Sequence, residues 1–170
     1  FVQEDKLDIV IYNRGIGGFV TQELLDNIDV CILDLEPRRL FINIGTNDLS
    51  DPAISIEDMI ANYDKILTIV QDKLPDIDIY MMAYYPINYD AATEEMKPCL
   101  LIRTNDKIAQ ANEAVRTLAK AHHAHYIDIN APLKDEQGNL KAEYTIEGMH
   151  IKEQGYRAIF DSFIKYALKD

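Results

Sequence analysis

Short runs rich in β-branched residues alternate along this chain with longer segments of helical periodicity, and this alternation restricts the fold more than any other feature. The apolar runs are residues 7–12 (LDIVIY), 39–44 (RLFINI), 77–84 and 125–129. Continuous apolar runs of this length are typical of strands that are buried on both faces. Strands that alternate with helices predict a parallel sheet between two layers of helices, a three-layer α/β/α domain.

Helical periodicity is expected over about residues 21–34, 56–74 and 104–121, and again in a final helix whose apolar stripe runs from Tyr156 to Leu168. Ser55 is predicted to cap the second of these helices, with Asp58 three residues later completing a capping box. A chain of 170 residues is long enough for one well-buried core and too short for two ordinary ones. We therefore expect a single domain over residues 1–170.

Charge and cysteine content exclude several classes of partner. Seventeen basic residues against 29 acidic ones give a net charge of −12, which repels nucleic acid and anionic membrane surfaces. No stretch approaches the roughly 20 apolar residues that a membrane span needs. Cys31 and Cys99 lack a CxxC spacing, so reduced thiols are expected, with a disulfide as the alternative. Reduced thiols favour a cytoplasmic location.

Three polar turns follow strands or precede the last helix: residues 13–18 (NRGIGG), 45–48 (GTND) and 147–150 (EGMH). Open parallel sheets bind ligands beyond the carboxyl ends of their strands, where such turns converge. Taken singly, these turns are typical of a strand-to-helix connection, a helix cap and an ordinary residue before a helix. Their occurrence together in one sheet favours a functional site.

Acyl transfer needs a general base, a group that orients it, and donors for the developing oxyanion. His150 has the residue type of a base, because an imidazole titrates near neutral pH. Glu147, three residues earlier, is placed to accept the second ring N–H. Asn47 offers a side-chain NH2 donor, and Gly18 offers a backbone N–H that no Cβ obstructs.

These turns resemble the conserved blocks of the SGNH/GDSL hydrolase family. Residues 45–48 are similar to its G-x-N-D block, residues 147–151 with the later Gly155 and Tyr156 to its D-G-x-H block, and residues 13–18 to its glycine block. The resemblance covers nearly the whole chain. It implies a flavodoxin-like parallel sheet of strand order 2-1-3-4-5, and hydrolysis of small acyl esters without metal or cofactor.

The resemblance also implies the role of each site residue. Gly18 and Asn47 would form the oxyanion hole, His150 would be the base, and Glu147 would orient it. Glu147 stands where the family usually has Asp, a longer side chain that still reaches a ring nitrogen. The oligomeric state does not follow from the sequence.

The family's first block, G-D-S, which carries the nucleophilic serine, is absent from the 170 residues. The serines present are Ser50, Ser55 and Ser162, and none follows a first strand. Because the chain also begins with Phe1, we expect an N-terminally truncated domain with a gap between the strands at 7–12 and 39–44. The alternative is a non-catalytic member of the fold that binds an acylated carbohydrate or a protein partner. A nucleotide binder is disfavoured, because no G-x-G-x-x-G follows a strand.

Two weaker signals remain open. His122, His123 and His125 invite a metal hypothesis, although a cluster at a helix C-terminus is more often structural. Residues 84–101, rich in Tyr, Pro and Met, are predicted either to line an acyl or sugar pocket or to cover the surface.

Overall fold

The structure is a computed structural model that describes residues 9–168. Its helices and strands, in chain order, are α1 (Thr21–Asp26), α2 (Ile28–Cys31), β1 (Arg39–Ile42), α3 (Ile56–Lys73), β2 (Asp78–Met82), α4 (Lys97–Ile102), α5 (Asn105–Ala121), β3 (His125–Ile127) and α6 (Glu153–Ala167). Within the described range, no helix is long and apolar enough to cross a membrane.

The three strands form a parallel sheet in the order β1-β2-β3. Arg39 lies opposite Asp78 in the first pair, and Tyr80 lies opposite His125 in the second. These strands correspond to the third, fourth and fifth in the predicted order 2-1-3-4-5. The α/β fold with a parallel sheet is confirmed.

Helices cover both faces of the sheet, as the continuous apolar runs predict. Along β2, Ile79 and Met81 point into the larger core, which also holds the buried faces of α3 and α5. Tyr80, on the opposite face, stacks on Phe41 at 4.7 Å between ring centroids, and Phe41 in turn packs against Phe163 of α6. The alternation of side chains along one strand therefore produces three layers.

The predicted cap of α3 is confirmed. The Ser55 hydroxyl accepts a hydrogen bond from the backbone N–H of Asp58 at 3.0 Å, and the Asp58 carboxylate accepts one from the Ser55 backbone N–H at 3.4 Å. This reciprocal pair satisfies two backbone donors that the first turn of a helix leaves free. It fixes where α3 begins after the turn that follows β1.

The strand expected at residues 7–12 is not observed. Residues 7 and 8 lie outside the described range, and residues 9–12 form no strand; Val10 and Tyr12 are 74% and 64% exposed. A groove of about 710 Å³ lies between residues 9–16 and β1. A strand needs a neighbour about 4.8 Å away to satisfy its backbone groups, and across this groove residues 9–12 have none.

The helix expected over residues 21–34 is broken into α1, α2 and a 3₁₀ turn at Leu33–Leu35. The break lies at Asn27, whose backbone N–H and side-chain amide both donate to the Glu23 carbonyl. Asparagine side chains compete with helical hydrogen bonds in this way and end helices.

The second difference from the sequence prediction is α4, which forms where a loop was expected. Pro98 lies in its first turn, where proline is tolerated.

Candidate active site

Side chains link the carboxyl ends of the three strands into one edge. The Asn43 amide donates to the Ala83 carbonyl at 3.1 Å, and the Tyr84 hydroxyl donates to the Ile44 carbonyl at 2.6 Å. The Asn130 amide donates to the Tyr84 carbonyl at 2.9 Å. Burial raises the pKa of Tyr84 well above its usual value, so its hydroxyl remains a hydrogen-bond donor.

The glycine-rich turn and the G-x-N-D turn are tied together by Asp48. This carboxylate is 1% exposed and accepts hydrogen bonds from the Thr21 backbone N–H at 3.0 and 3.1 Å and from the Thr21 hydroxyl. The N–H, shared between both carboxylate oxygens, and the hydroxyl compensate the burial of the carboxylate. Asp48 therefore fixes the start of α1, and with it the end of the turn that contains Gly18.

Asn47 makes a second link between the same two turns. Its Nδ2 donates to the Phe19 carbonyl at 2.9 Å. An amide nitrogen carries two hydrogens, so one remains for a ligand. Next to Phe19, Gly18 is exposed, and its N–H takes part in no hydrogen bond within residues 9–168. The hydrogen bond to Phe19 therefore holds the Asn47 amide next to the residue that follows Gly18.

His150 and Glu147 form the second pair that the sequence predicts. Glu147 Oε1 lies 2.7 Å from His150 Nδ1 and also accepts from the His150 backbone N–H at 2.8 Å. A carboxylate only accepts, so Nδ1 supplies the hydrogen of this bond. The His150 side chain is 69% exposed and that of Glu147 is 14% exposed. This arrangement leaves Nε2 of an exposed side chain without a hydrogen-bond partner among the described residues.

The loop that carries this pair is fixed by Gly148. Its N–H donates to the buried Thr145 hydroxyl at 2.9 Å, and its carbonyl accepts from the Asn88 N–H at 2.8 Å. Gly148 has φ +94°, and a Cβ at this position would lie 2.5 Å from the Asn88 carbonyl oxygen. Only glycine allows the loop to approach the segment after β2 this closely.

We therefore expect Gly148→Ala to destabilise the protein by about 1–2 kcal/mol through its positive φ and by a further 1–3 kcal/mol or so through the backbone clash. Urea unfolding measures the sum. Gly138→Ala is the matched control, because Gly138 has φ +85° and nothing within 4 Å of its Cβ position. Equal losses in the two variants would contradict the close-approach argument.

The two pairs belong to the same edge but are not bonded to each other. Asn47 follows β1, and the His150 loop packs through Gly148 on the segment after β2. Among the described residues, no hydrogen bond joins Asn47 or Gly18 to His150 or Glu147. Sequence reasoning missed Asp48 and Asn88 as positioning residues. The only signal for Asp48 was its place in the G-x-N-D turn.

The histidine cluster has structural partners. His122 bonds to Gln71 at 2.9 Å and to Asp64 at 2.7 Å, and His125 stacks on Tyr80. Over the described range, no group of three or more His, Cys, Asp or Glu side chains is placed to hold a metal ion.

The first half of the loop at residues 84–101 is largely buried and does not simply cover the surface.

A family model for GDSL-like lipases and acylhydrolases matches residues 3–158. The chain belongs to this family. Family membership confirms the resemblance predicted from the three sequence blocks.

Solved structures agree with this assignment. A Streptococcus pneumonia protein described as a candidate platelet activating factor is 32% identical, with a TM-score of 0.84 over 94% of this chain and 73% of its own. An acetylxylan esterase from Geobacillus stearothermophilus, 15% identical, has a TM-score of 0.75 over 98% of this chain and 75% of its own. The second likeness shows the fold alone.

Among curated proteins, an N-acylneuraminate cytidylyltransferase of Escherichia coli is 27% identical over 153 residues, or 89% of this chain. The chain spans 34% of the length of that relative. The relative's name therefore describes a much longer protein than the matched part.

Proposed function

We propose that this chain supplies the base and the oxyanion hole of a serine ester hydrolase that acts on short acyl esters. The observation that carries the proposal is the Glu147–His150 pair, whose hydrogen bond at 2.7 Å leaves Nε2 free as a proton acceptor. Glu147 holds the ring in that tautomer, and Asn47 and Gly18 supply the oxyanion donors.

The nucleophilic serine, in this proposal, lies outside the 170 residues, on a strand that occupies the groove beside β1. The sequence of β1 is that of an inner strand, yet within the described sheet it has a neighbour on one side only. The groove is lined by residues 9–16, by β1, and by Thr46 and Asn47. A strand in it would end beside the proposed oxyanion donors.

The acetylxylan esterase of the same fold provides a parallel. Its catalytic mutants replace a serine, an aspartate and a histidine, and the last two are three positions apart, as are Glu147 and His150. In that esterase the serine precedes the histidine by more residues than precede His150 in this chain. We propose an acetyl ester as substrate for this chain also.

The free thiols of Cys31 and Cys99 fit our proposal of a cytoplasmic enzyme.

Replacing Asn47 tests the oxyanion hole. In the full-length protein, Asn47→Ala is expected to lower kcat for 4-nitrophenyl acetate by about 10²–10³-fold, with KM little changed, because an oxyanion donor acts in the transition state. Asn27→Ala is the matched control, since the Asn27 amide also donates to one backbone carbonyl but lies elsewhere. Thermal unfolding checks that both variants are folded. A wild-type kcat in folded Asn47→Ala contradicts the assignment.

A further inference from the structure

The chain just after β2 is held largely by side-chain amides. The Tyr84 N–H donates to the side-chain oxygen of Asn112 at 2.7 Å, and the Tyr84 carbonyl accepts from the Asn130 amide at 2.9 Å. Asn105 binds both backbone groups of Ile87, at 2.9 and 3.0 Å. An asparagine side chain carries one acceptor and two donor hydrogens, so it can replace the partner strand that a strand end lacks. The segment is therefore fixed to α5 and to the chain after β3.

This segment, residues 84–88, contacts both halves of the proposed site. At its start, the Tyr84 hydroxyl donates to the Ile44 carbonyl at 2.6 Å, directly before the G-x-N-D turn. At its end, the Asn88 N–H donates to the Gly148 carbonyl at 2.8 Å, in the loop that carries the proposed base. The segment therefore connects the turn that carries the proposed oxyanion donor to the loop that carries the base.

The G-x-N-D turn begins in direct contact with the Tyr84 side chain. Tyr84 is 1% exposed, and a Cβ at Gly45 would overlap its hydroxyl. Gly45 has φ +112°, and its carbonyl accepts a hydrogen bond from the Leu49 N–H at 3.1 Å, which closes the turn around Asn47. The hydroxyl thus holds the peptide group from which the turn starts.

We propose that Tyr84 is a positioning residue that sets where the Asn47 amide lies relative to His150. Its hydroxyl fixes the carbonyl three residues before Asn47, and its backbone belongs to the segment that holds the His150 loop. Tyr84 itself touches no substrate and acts through Asn47. A displacement of about 1 Å can lower a rate about 100-fold. This inference rests on the proposed function, which makes Asn47 an oxyanion donor.

The first test removes the hydroxyl of Tyr84 and keeps the ring. In full-length Tyr84→Phe, kcat for 4-nitrophenyl acetate should fall about 10–100-fold with KM little changed, because the displaced donor acts in the transition state. Tyr63→Phe is the matched control, since Tyr63 is also 1% exposed and its hydroxyl donates to the Ile42 carbonyl of β1 at 3.3 Å. That carbonyl lies outside the turn, so kcat should stay near wild type. A wild-type kcat in folded Tyr84→Phe overturns the proposal.

A double variant separates positioning from a general loss of packing. In Asn47→Ala the donor that Tyr84 positions is already absent, so adding Tyr84→Phe should lower kcat by less than about threefold. A purely structural defect would lower kcat by the same factor in both backgrounds, and that result overturns the proposal.

If Tyr84→Phe does not fold, 4-aminophenylalanine and 4-methylphenylalanine at position 84 replace it. The two side chains have nearly the same shape, and only the first keeps a hydrogen-bond donor. The first should therefore have the higher kcat. Equal kcat values in this pair overturn the proposal.

Amide hydrogen exchange separates this proposal from the proposed function. The Leu49 N–H closes the turn on the Gly45 carbonyl, so its exchange reports how often the turn opens. Tyr84→Phe should speed exchange at Leu49 about 10-fold, as expected for loss of one hydrogen bond, and Tyr63→Phe should not. If no ester is hydrolysed but this difference is seen, the proposed function fails and the positioning of the turn by Tyr84 stands. Equal exchange in wild type and Tyr84→Phe overturns the proposal even in an active esterase.

Discussion

Replacing His150 with alanine is expected to lower ester turnover by the full-length protein about 10⁴–10⁶-fold, the range seen when the base of a catalytic triad is removed. The reason is that Nε2 of His150 is the free nitrogen of a ring whose other nitrogen is held by Glu147 at 2.7 Å. Without it, the serine of the proposed mechanism loses its proton acceptor. Initial rates on 4-nitrophenyl acetate measure the effect.

Matched variants show whether the loss is specific to His150. His125→Ala removes another exposed histidine, one that stacks on Tyr80 in the sheet, and should leave the rate near wild type. Glu147→Ala should reduce the rate less than His150→Ala, because in the proposed mechanism Glu147 orients the base without taking the proton. A wild-type rate in His150→Ala rules out the proposed mechanism.

The core strands and long helices could be predicted because their signals are local. The apolar runs at 39–44, 77–84 and 125–129 contain β1, β2 and β3, and the capping box at Ser55 marks the start of α3. The run at 7–12 has the same composition but forms no strand in its described part. Composition reports a preference for pairing, whereas a strand also needs a partner, and none of the described strands pairs with residues 9–12.

For the site too, contacts between residues close in the sequence could be predicted, and contacts between distant residues could not. Glu147 and His150 could be paired from sequence because they are three residues apart. The hydrogen bonds from Thr21 to Asp48 span 27 residues, and the contact of Arg103 with Met149 spans 46. No periodicity or spacing predicts such contacts, because they join segments that are distant in the sequence and meet only in the folded chain.

The second prediction with a large expected effect concerns ester hydrolysis by the 170-residue chain alone. We expect it to show no ester hydrolysis above background, whereas the full-length protein turns over acetyl esters. Of its serines, Ser55 caps α3 by accepting a hydrogen bond from the Asp58 backbone N–H, and Ser162 lies in α6 more than a turn beyond the His150 loop. Ser50 ends the 3₁₀ turn after Asp48. Circular dichroism controls for folding of the shorter chain.

Turnover by the folded 170-residue chain at the full-length rate would show that one of these three serines is the nucleophile. Single alanine variants of Ser50, Ser55 and Ser162 would then identify it. If neither chain is active, the non-catalytic alternative, a module that binds an acylated carbohydrate or a protein partner, is the better description.

Labelling of the full-length protein with a fluorophosphonate, followed by peptide mass spectrometry, tests the central claim most directly. The probe reacts with a serine that a neighbouring base has activated. The account predicts one adduct per molecule, on a serine outside the 170 residues, and its loss in His150→Ala but not in His125→Ala. An unlabelled full-length protein, or an adduct on Ser50, Ser55 or Ser162, would contradict it.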